Sequence, residues 1–244
     1  MDTTRFSNRR VAITGGAGGI GQAIARRLVA EGAEVFALDR KGLEGLPEGV
    51  SGLELDLGSP ASVAEVVASL YAGDDRPVDL VNSAGIVEDD VAAVDMPIEQ
   101  FDAVIGVNLR GVFLTCQAFG RELMARGGGA IVNIASMSGN AVVNFPQKQS
   151  AYNTSKAAVT ALTKSLAVEW GPSGVRVNAL SPGYVDTPLN HLKAHMHDTW
   201  KRDVVVDRFA TPEEVAGSVA FLLSDDASYY VGAELLMDGG YSLR

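Results

Sequence analysis

The sequence predicts an α/β fold in which a single doubly wound parallel sheet carries helices on both faces. Short β-branched apolar runs alternate with stretches of helical periodicity over all 244 residues, and this alternation is typical of a parallel sheet with crossover helices. Neither a linker-like stretch nor an internal repeat interrupts the order. We therefore expect residues 1–244 to form one domain.

Composition narrows the classes of function. Apolar residues make up 47% of the chain, and the formal net charge is −10. A nucleic-acid surface needs clustered Lys and Arg, so this charge argues against one. The one cysteine, Cys116, fits a reducing cytoplasm. Residues 1–10 lack the apolar core of a signal peptide, and no apolar run approaches the ~20 residues that cross a bilayer. We therefore expect a cytoplasmic protein without a membrane segment.

The chain opens with a strand, a glycine turn and a helix. Residues 11–14 are a β-branched run that predicts the first strand, and residues 22–31 follow with helical periodicity. Between them lie glycines at positions 15, 16, 18, 19 and 21. Glycines allow a sharp turn and a close approach to a pyrophosphate, which the N–H groups at a helix start would bind. A glycine fingerprint alone is weak evidence, but its flanking elements favour dinucleotide binding over a turn without a ligand.

The second strand predicts which dinucleotide is bound. Residues 33–38 read as this strand, which ends at Asp39. A carboxylate there accepts hydrogen bonds from the adenosine ribose hydroxyls of NAD and repels the 2′-phosphate of NADP. Arg40 follows and could attract that phosphate, but the acid comes first, so the pattern favours NAD. The alternative is a strand-end carboxylate that faces water.

The next part of the chain continues the alternation. It predicts a loop or truncated helix over 41–50, a strand tip over 53–57, a helix over 60–71 with Ser59 as its N-cap, and a buried strand over 78–81. Asp56 could bond the adenine amino group. Asn82 could tie neighbouring strands together, and the small residues that follow it would let the chain pass close to a flat ring.

The second half predicts the remaining elements. They are a helix over 96–125, strands over 130–134 and 175–180, a helix over 151–170, a mobile helical flap over 187–200, a helix from the capping box at Thr211 to residue 223, and a last strand over 234–237. Asn108 lies inside the first of these helices. Asparagine is unfavourable there, so we expect it either to face water or to have a function.

Candidate site positions fall on one edge of the predicted sheet. Six polar or glycine positions follow strand ends, and they are Gly15, Asp39, Asp56, Asn82, Ser136 and Pro182. In open parallel sheets, ligands bind beyond the carboxyl ends of the strands. We therefore expect these six positions to surround one ligand site.

Ser136, Tyr152 and Lys156 are the parts of a proton-transfer site. Tyr152 and Lys156 would lie one helical turn apart on the same face. A phenol normally loses its proton near pH ~10, and an ammonium one turn away would lower that pKa. A serine hydroxyl could hold a substrate oxygen. Tyr-x-x-x-Lys also occurs by chance, usually as a buried ring beside a solvated charge. Ser138 is an alternative to Ser136, which we favour because it directly follows the apolar run.

These motifs together resemble the short-chain dehydrogenase/reductase family, and the resemblance covers nearly the whole chain. The family's Thr-Gly-x-x-x-Gly-x-Gly falls on residues 14–21, its Asn-x-Ala-Gly on residues 82–85, and its Tyr-x-x-x-Lys on residues 152–156. Its helix asparagine, its serine and its Pro-Gly match Asn108, Ser136 and residues 182–183. Ser83 stands where a second asparagine is commoner in the family, and the interval from serine to tyrosine is longer than in many relatives.

The resemblance implies a Rossmann-type fold and a role for each matching residue. Tyr152 would be the acid/base, Lys156 would lower its pKa and bond the nicotinamide ribose, Ser136 would orient the substrate oxygen, and Asn108 would hold a water in a proton relay. The implied cofactor is NAD. Its expected contacts are Gly15, Gly18, Gly19, Ile20, Gly21, Asp39, Asp56, Leu57, Asn82, Ala84, Gly85, Tyr152, Lys156, Pro182, Gly183, Val185 and Thr187.

The resemblance also implies a homo-oligomer, a dimer or a tetramer. The family usually pairs the helices that hold the asparagine and the tyrosine. The apolar surface for that contact would come from Leu109, Val112, Phe113, Leu162 and Leu166.

A polar stretch just before Tyr152 bears on the class of substrate. Residues 144–149, Asn-Phe-Pro-Gln-Lys-Gln, resemble a stretch of the sugar-alcohol dehydrogenases in this family, and amides suit a chain of hydroxyls. The alternative is a surface loop chosen for its turn chemistry. Tyr184, His191, Trp200 and Glu88 are candidate pocket residues. We expect no metal, although His191, His195 and His197 are close in sequence.

Two rival functions remain open from the sequence. A 3-oxoacyl thioester reductase would be expected to use NADPH, which Asp39 disfavours. A non-catalytic dinucleotide-binding protein would be expected to lack part of the serine, tyrosine and lysine set, and all three are present.

Overall fold

A single seven-stranded parallel sheet forms the centre of the protein. The computed structural model describes residues 4–143, 146–191 and 194–244. The strand order is β3-β2-β1-β4-β5-β6-β7, and every neighbouring pair is parallel, which confirms the predicted sheet. The strands are β1 Arg10–Thr14, β2 Glu34–Asp39, β3 Val50–Glu54, β4 Val78–Asn82, β5 Gly129–Ile134, β6 Val175–Pro182 and β7 Glu234–Met237.

Helices cover both faces of this sheet, as predicted. They are α1 Gly19–Ala30, α2 Pro60–Leu70, α3 Ile98–Ile105, α4 Val112–Ala125, α5 Met137–Asn140, α6 Ser150–Trp170, α7 Pro188–His191, α8 His197–Asp203 and α9 Pro212–Leu223. Successive side chains of a strand point to opposite faces. Val11 and Ile13 of β1 accordingly pack with α1 and α9, whereas Ala12 packs with α2, α4 and α6. The sheet therefore separates two apolar layers.

An ion pair with a buried carboxylate connects the residue before β1 to strand β4 at the amino end of the sheet. Arg9 donates to the Asp79 carboxylate at 2.5 Å, and the other oxygen of Asp79 accepts from the backbone N–H of Ala130 at 2.7 Å. Asp79 is 4% exposed. A charge this well buried needs both partners. These contacts tie the first turn of the chain to β4 and β5.

The third strand lies earlier in the chain than predicted. It spans Val50–Glu54, and the strand tip expected over 53–57 is therefore wrong in its second half. Leu55 and Leu57 are buried, but they lie beyond the strand, where the chain turns towards α4. A Cβ on Gly111 would lie 2.9 Å from that of Leu57. Strand pairing thus ends near Leu55, whose backbone N–H still donates to Asp39 of β2 at 3.0 Å, and the last apolar position of the pattern reports burial against a helix.

The helix predicted over 96–125 is interrupted in the structure. A π-helical turn, Gly106–Gly111, separates α3 from α4 and contains Asn108. Such turns occur often at functional sites. By length and hydropathy Ile98–Ala125 could cross a membrane, but the segment packs against β4, α2 and α6 and contributes to the apolar core.

The remaining boundaries agree with the prediction to within a few residues, except in the predicted flap, which is divided into several short helical turns. Ser59 caps α2, and Thr211 and Glu214 form the expected capping box of α9. The flap expected over 187–200 contains α7, a 3₁₀ turn at Ala194–Met196 and the start of α8, while residues 192–193 lie outside the described part. Its mobility stays a prediction.

Two residues expected at a subunit interface lie in the core instead. Val112 and Leu166 are only 4% and 5% exposed, because these positions of α4 and α6 face the sheet. Leu109 and Leu162 are half-buried against the same core. Phe113 is 41% exposed and remains available for a contact.

Candidate active site

Three adjoining cavities lie beyond the carboxyl ends of the strands. The first, of about 280 Å³, includes Gly15, Asp39, Ser83 and Gly85 in its wall. Ser83 and Gly85 also line a second cavity of about 130 Å³, the middle cavity. The middle cavity shares Ser136 with the third and smallest cavity, of about 80 Å³. The sheet order reverses between β1 and β4, and this switch point is where open α/β sheets bind ligands.

The glycine turn leaves no room for side chains. Gly15 has φ +66°, and a Cβ there would lie 2.7 Å from Ala84 Cα. A Cβ on Gly21 would lie 2.2 Å from the carbonyl oxygen of Gly15. Gly18 precedes α1 and has no side chain to cap its first N–H groups. This bare helix start fits a pyrophosphate, since backbone N–H groups and the helix dipole attract an anion.

The first cavity holds the residues predicted to contact adenosine. Asp39 ends β2, and its Oδ2 accepts from the backbone N–H of Ala17 at 3.2 Å, which ties it to the glycine turn. Arg40, Asp56 and Leu57 line the same cavity. Asp56 accepts from the backbone N–H of Gly58 at 2.9 Å, so its carboxylate is already oriented.

Asn82 ties neighbouring strands together, as predicted. Its Nδ2 donates to Asn133 Oδ1 on β5 at 2.9 Å, and its Oδ1 accepts from Thr115 on α4 at 2.7 Å. Thr14 at the end of β1 accepts from the backbone N–H of Ala84 at 3.3 Å. A Cβ on Gly85 would lie 3.5 Å from Lys156 Nζ, so the chain passes directly beside the ammonium.

Asn108 is buried and has a structural function. Its Oδ1 accepts from the backbone N–H of Ile86 at 2.9 Å. Its Nδ2 donates to the Ile86 carbonyl at 2.8 Å and to Ser155 Oγ at 3.1 Å. The side chain thus joins the loop after β4 to helix α6, and the water relay implied by the resemblance stays a prediction.

Ser136, Tyr152 and Lys156 meet where the two smaller cavities join. Ser136 caps α5, and its hydroxyl lies 2.9 Å from that of Ser138. Ser138 lies in that short helix and not on a continued strand, but both hydroxyls still line the smallest cavity. Ser136 is hydrogen-bonded to the Tyr152 phenol. Lys156 Nζ lies 5.7 Å from the centroid of the Tyr152 ring.

The electrostatics of the tyrosine differ from the expectation. Burial raises the pKa of Tyr152, the hydrogen bond from Ser136 opposes this rise, and the negative charge of Glu88 adds to it. Burial also lowers the pKa of Lys156 to about 8. The ammonium was expected to lower the pKa of the phenol. Instead the pKa of Tyr152 is raised, because desolvation by burial has the largest effect on it.

The middle cavity brings the last predicted cofactor contacts together. Ile20, Pro182, Gly183, Val185 and Thr187 line it with the three residues of the proton-transfer site. A Cβ on Gly183 would lie 2.8 Å from Asp238 Cα, so this position requires glycine.

The smallest cavity contains hydroxyl, amide and aromatic groups. Its wall comprises Val87, Ser136, Met137, Ser138, Gln147, Gln149, Tyr152, Gly183, Tyr184, Asn190 and Trp200. Tyr184 and Trp200 were predicted here and stack at 4.4 Å between ring centroids. Tyr184 donates to Gln147 at 3.1 Å. Asn144 and Phe145 of the predicted substrate loop lie outside the described residues.

Two other candidates do not line this cavity. His191 is exposed, and its Nε2 lies 2.6 Å from Asp186 Oδ1. Glu88 is buried behind the tyrosine and bonds to backbone N–H groups of α6. Asn190 was missed, because one asparagine in a polar stretch carries no sequence signal. Within the described ranges, no three His, Cys, Asp or Glu side chains are arranged to hold a metal ion.

A parallel sheet with a bare glycine turn, next to a serine, tyrosine and lysine cluster, defines a dinucleotide-dependent oxidoreductase. A family model described as enoyl-(acyl carrier protein) reductase matches residues 15–242. Galactitol 2-dehydrogenase from Rhizobium johnstonii is 38% identical, and the match covers 98% of this chain and 96% of that protein. An NAD-dependent glycerol dehydrogenase from Listeria innocua is 36% identical over 98% of this chain and 96% of its own.

A solved structure agrees with these relatives. A short-chain type dehydrogenase/reductase from Mycobacterium marinum superposes with a TM-score of 0.93 at 37% identity, covering 100% of this chain and 99% of that one. The chain belongs to the short-chain dehydrogenase/reductase family. Within that family it is an oxidoreductase similar to polyol dehydrogenases.

Proposed function

We propose that this enzyme transfers a hydride between NAD and a secondary hydroxyl or keto group of a polyol or sugar derivative. The observation that carries the proposal is the position of Ser136 and Tyr152, which line both the middle and the smallest cavity. A nicotinamide in the middle cavity and an alcohol in the smallest one would meet at these two side chains.

The residues of the chain handle the proton. Tyr152 accepts the proton of the substrate hydroxyl during oxidation and returns it during reduction. Ser136 donates to the substrate oxygen and stabilises the charge that develops on it. Lys156 places a positive charge beside the phenolate and would donate to the ribose of a nicotinamide nucleotide bound in the middle cavity, which it lines. The bound nicotinamide supplies the hydride chemistry.

The choice of a polyol rests on the smallest cavity. Its hydroxyl and amide groups both donate and accept hydrogen bonds, which suits a substrate with several adjacent hydroxyls. The relatives whose printed names specify galactitol and glycerol support the same class. A 3-oxoacyl thioester has no row of adjacent hydroxyls to pair with these groups.

The choice of NAD rests on Asp39. Its carboxylate lines the adenosine cavity and would repel a 2′-phosphate. The name of the Listeria relative supports NAD. We further propose a single catalytic domain over residues 1–244, a cytoplasmic location and a homo-oligomer, either dimer or tetramer, with no nucleic acid or membrane as partner.

Initial rates test the proposal. Galactitol, threitol, glycerol, apolar secondary alcohols and a 3-oxoacyl thioester are compared, each with NAD and NADP. We expect turnover of polyols with NAD. Tyr152→Phe should lower kcat about 10²- to 10⁴-fold, the usual contribution of an acid/base group. Tyr229→Phe is the matched control, because that ring is 99% exposed. Turnover of apolar alcohols alone would reject the polyol, and an unchanged Tyr152→Phe enzyme would reject the mechanism.

A further inference from the structure

A buried carboxylate lies behind the catalytic tyrosine. Glu88 follows the fourth strand and is 2% exposed. Its Oε1 accepts from the backbone N–H of Ala151 at 2.8 Å, and its Oε2 accepts from the backbone N–H of Tyr152 at 3.0 Å. A carboxylate is rarely buried so completely unless it is hydrogen-bonded, and here both oxygens are used.

Glu88 takes the place of a local helix cap. The first N–H groups of any helix have no partner within the helix. The residue before α6, Gln149, makes no side-chain cap, so two of these groups are satisfied by Glu88, which lies 63 and 64 residues away from them in the chain. The carboxylate also lies at the positive end of a 21-residue helix dipole, which stabilises its charge.

The loop after β4, which contains Ile86 and Glu88, is also connected to the carbonyl group of Tyr152. Asn108 bonds the N–H and the carbonyl of Ile86 and donates to Ser155 Oγ. Ser155 Oγ in turn donates to the carbonyl of Tyr152 at 2.7 Å. The N–H of Tyr152 is therefore held by Glu88, and its carbonyl is held through Ser155 and Asn108.

We propose that Glu88 is a positioning residue, which fixes where the catalytic helix begins and so where the Tyr152 phenol lies between cofactor and substrate. This inference rests on the proposed function of Tyr152 as acid/base. The neighbouring residues support it, since Gly85 lines the nicotinamide cavity and Val87 lines the substrate cavity. One short loop thus contacts both ligand sites and the helix that carries the acid/base.

The charge of Glu88 gives the proposal a specific readout. The Ser136 hydroxyl and the Glu88 carboxylate both act on the pKa of the phenol, and the Lys156 ammonium on the same helix lies 5.7 Å from the centroid of its ring. The negative charge of Glu88 raises the pKa of Tyr152. Alcohol oxidation needs the phenolate, so the rate rises with pH through this pKa. Removing the charge should move the acidic limb of the profile to lower pH.

The test compares Glu88→Gln with Asp89→Asn. Asp89 is the neighbouring carboxylate in the same loop, but it is exposed and accepts from Gln100 Nε2 at 3.0 Å instead of from the catalytic helix, so its variant is the matched control. For Glu88→Gln we expect kcat to fall about 10- to 100-fold, as for a small misplacement of a reacting group, with the KM for NAD nearly unchanged. The acidic limb of kcat/KM should move to lower pH. Asp89→Asn should keep kcat and the pH profile.

A second measurement covers a Glu88→Gln variant that fails to fold. Hydrogen exchange in the unmodified enzyme should show slow exchange for the amides of Ala151 and Tyr152, and Glu88→Asp, one methylene shorter, should speed it. Unprotected amides, or a Glu88→Gln enzyme with unchanged kcat and pH profile, would overturn the positioning role. The proposed function would stand in that case if Tyr152→Phe were inactive, so the two failures can be told apart.

Discussion

Lys156 Nζ donates a hydrogen bond of 2.7 Å to the carbonyl oxygen of Ile134, the last residue of β5. Lys156 lies one helical turn after Tyr152, and its bond partner Ile134 precedes Ser136 by two residues. The bond therefore holds the ammonium close to both side chains. It also buries the charge, since Lys156 is only 4% exposed. The position of the lysine is thus fixed at an energetic cost, and this cost can be measured.

Replacement of Lys156 by methionine should stabilise the protein at neutral pH. Burial lowers the pKa of Lys156 from 10.5 to about 8. That difference corresponds to about 3 kcal/mol, and loss of the bond to Ile134 offsets about 1 kcal/mol or more, which leaves a net gain of about 1–2 kcal/mol. Urea unfolding at pH 7 measures the gain, and activity should be lost.

The pH dependence of this gain has a definite sign. The folded protein carries the buried charge below pH 8 and loses it above, whereas the unfolded chain stays protonated up to about 10.5. The unmodified protein should therefore gain stability as the pH rises through this window, and the advantage of Lys156→Met should shrink. Lys164→Met, on an exposed position of the same helix, is the control. An advantage that is constant from pH 7 to 10 would contradict the assignment.

Asp39 should determine the choice of cofactor. Asp39→Ser removes the carboxylate that repels a 2′-phosphate and leaves Arg40 in the wall of the same cavity. We expect the ratio of kcat/KM for NADP to that for NAD to rise at least about tenfold, which corresponds to about 1.4 kcal/mol of lost discrimination. Asp56→Asn changes the other acid of this cavity and should leave the ratio nearly unchanged. Equal ratios for the two variants would count against Asp39.

Gly21 should tolerate no side chain. A Cβ there would lie 2.2 Å from the carbonyl oxygen of Gly15, a backbone atom that cannot move without opening the turn. Gly21→Ala should lower the free energy of unfolding by about 1–3 kcal/mol and weaken NAD binding, as measured by urea unfolding and by calorimetry. Gly45→Ala is the control, since a Cβ at Gly45 meets no atom within 4 Å. Normal NAD affinity in Gly21→Ala would be inconsistent with a pyrophosphate at this turn.

Trp200 should contribute to substrate affinity. Its indole N–H is buried and has no hydrogen-bond partner among the residues that the structure describes, and the residue lines the substrate cavity. If a substrate hydroxyl accepts this bond, Trp200→Phe should raise the KM for the polyol about tenfold and leave kcat within about twofold. Trp170→Phe changes a tryptophan outside the cavity and serves as control. An unchanged KM would remove Trp200 from the list of substrate contacts.

Much of the architecture could be predicted from local sequence. Strands such as β1 and β4 are short apolar runs that end in turn residues, and the capping box at Thr211 specifies the start of α9. The candidate ligand residues were found because parallel strands bring their carboxyl ends to one edge. Apolar runs, capping residues and the residues that follow a strand are all recognised from short stretches of sequence, so they can be predicted without knowledge of the tertiary structure.

The predictions failed where distant contacts decide. The π-helical turn is coupled to Asn108, whose partner Ile86 lies 22 residues away. The inward orientation of Val112 and Leu166 follows from how α4 and α6 pack on the sheet. The pKa of Tyr152 depends on burial, which helical spacing does not reveal. The position of Glu88 under the tyrosine is likewise set by tertiary structure alone.

The ion pair between Arg9 and Asp79 lies at the end of the sheet opposite to the three cavities. Contacts that secure the strands are thereby spatially separate from the loops that surround the ligands. Mutations in those loops can change substrate preference while the far end continues to hold the strands in place. This separation favours functional diversification, because a new specificity can evolve without a matching loss of thermal robustness.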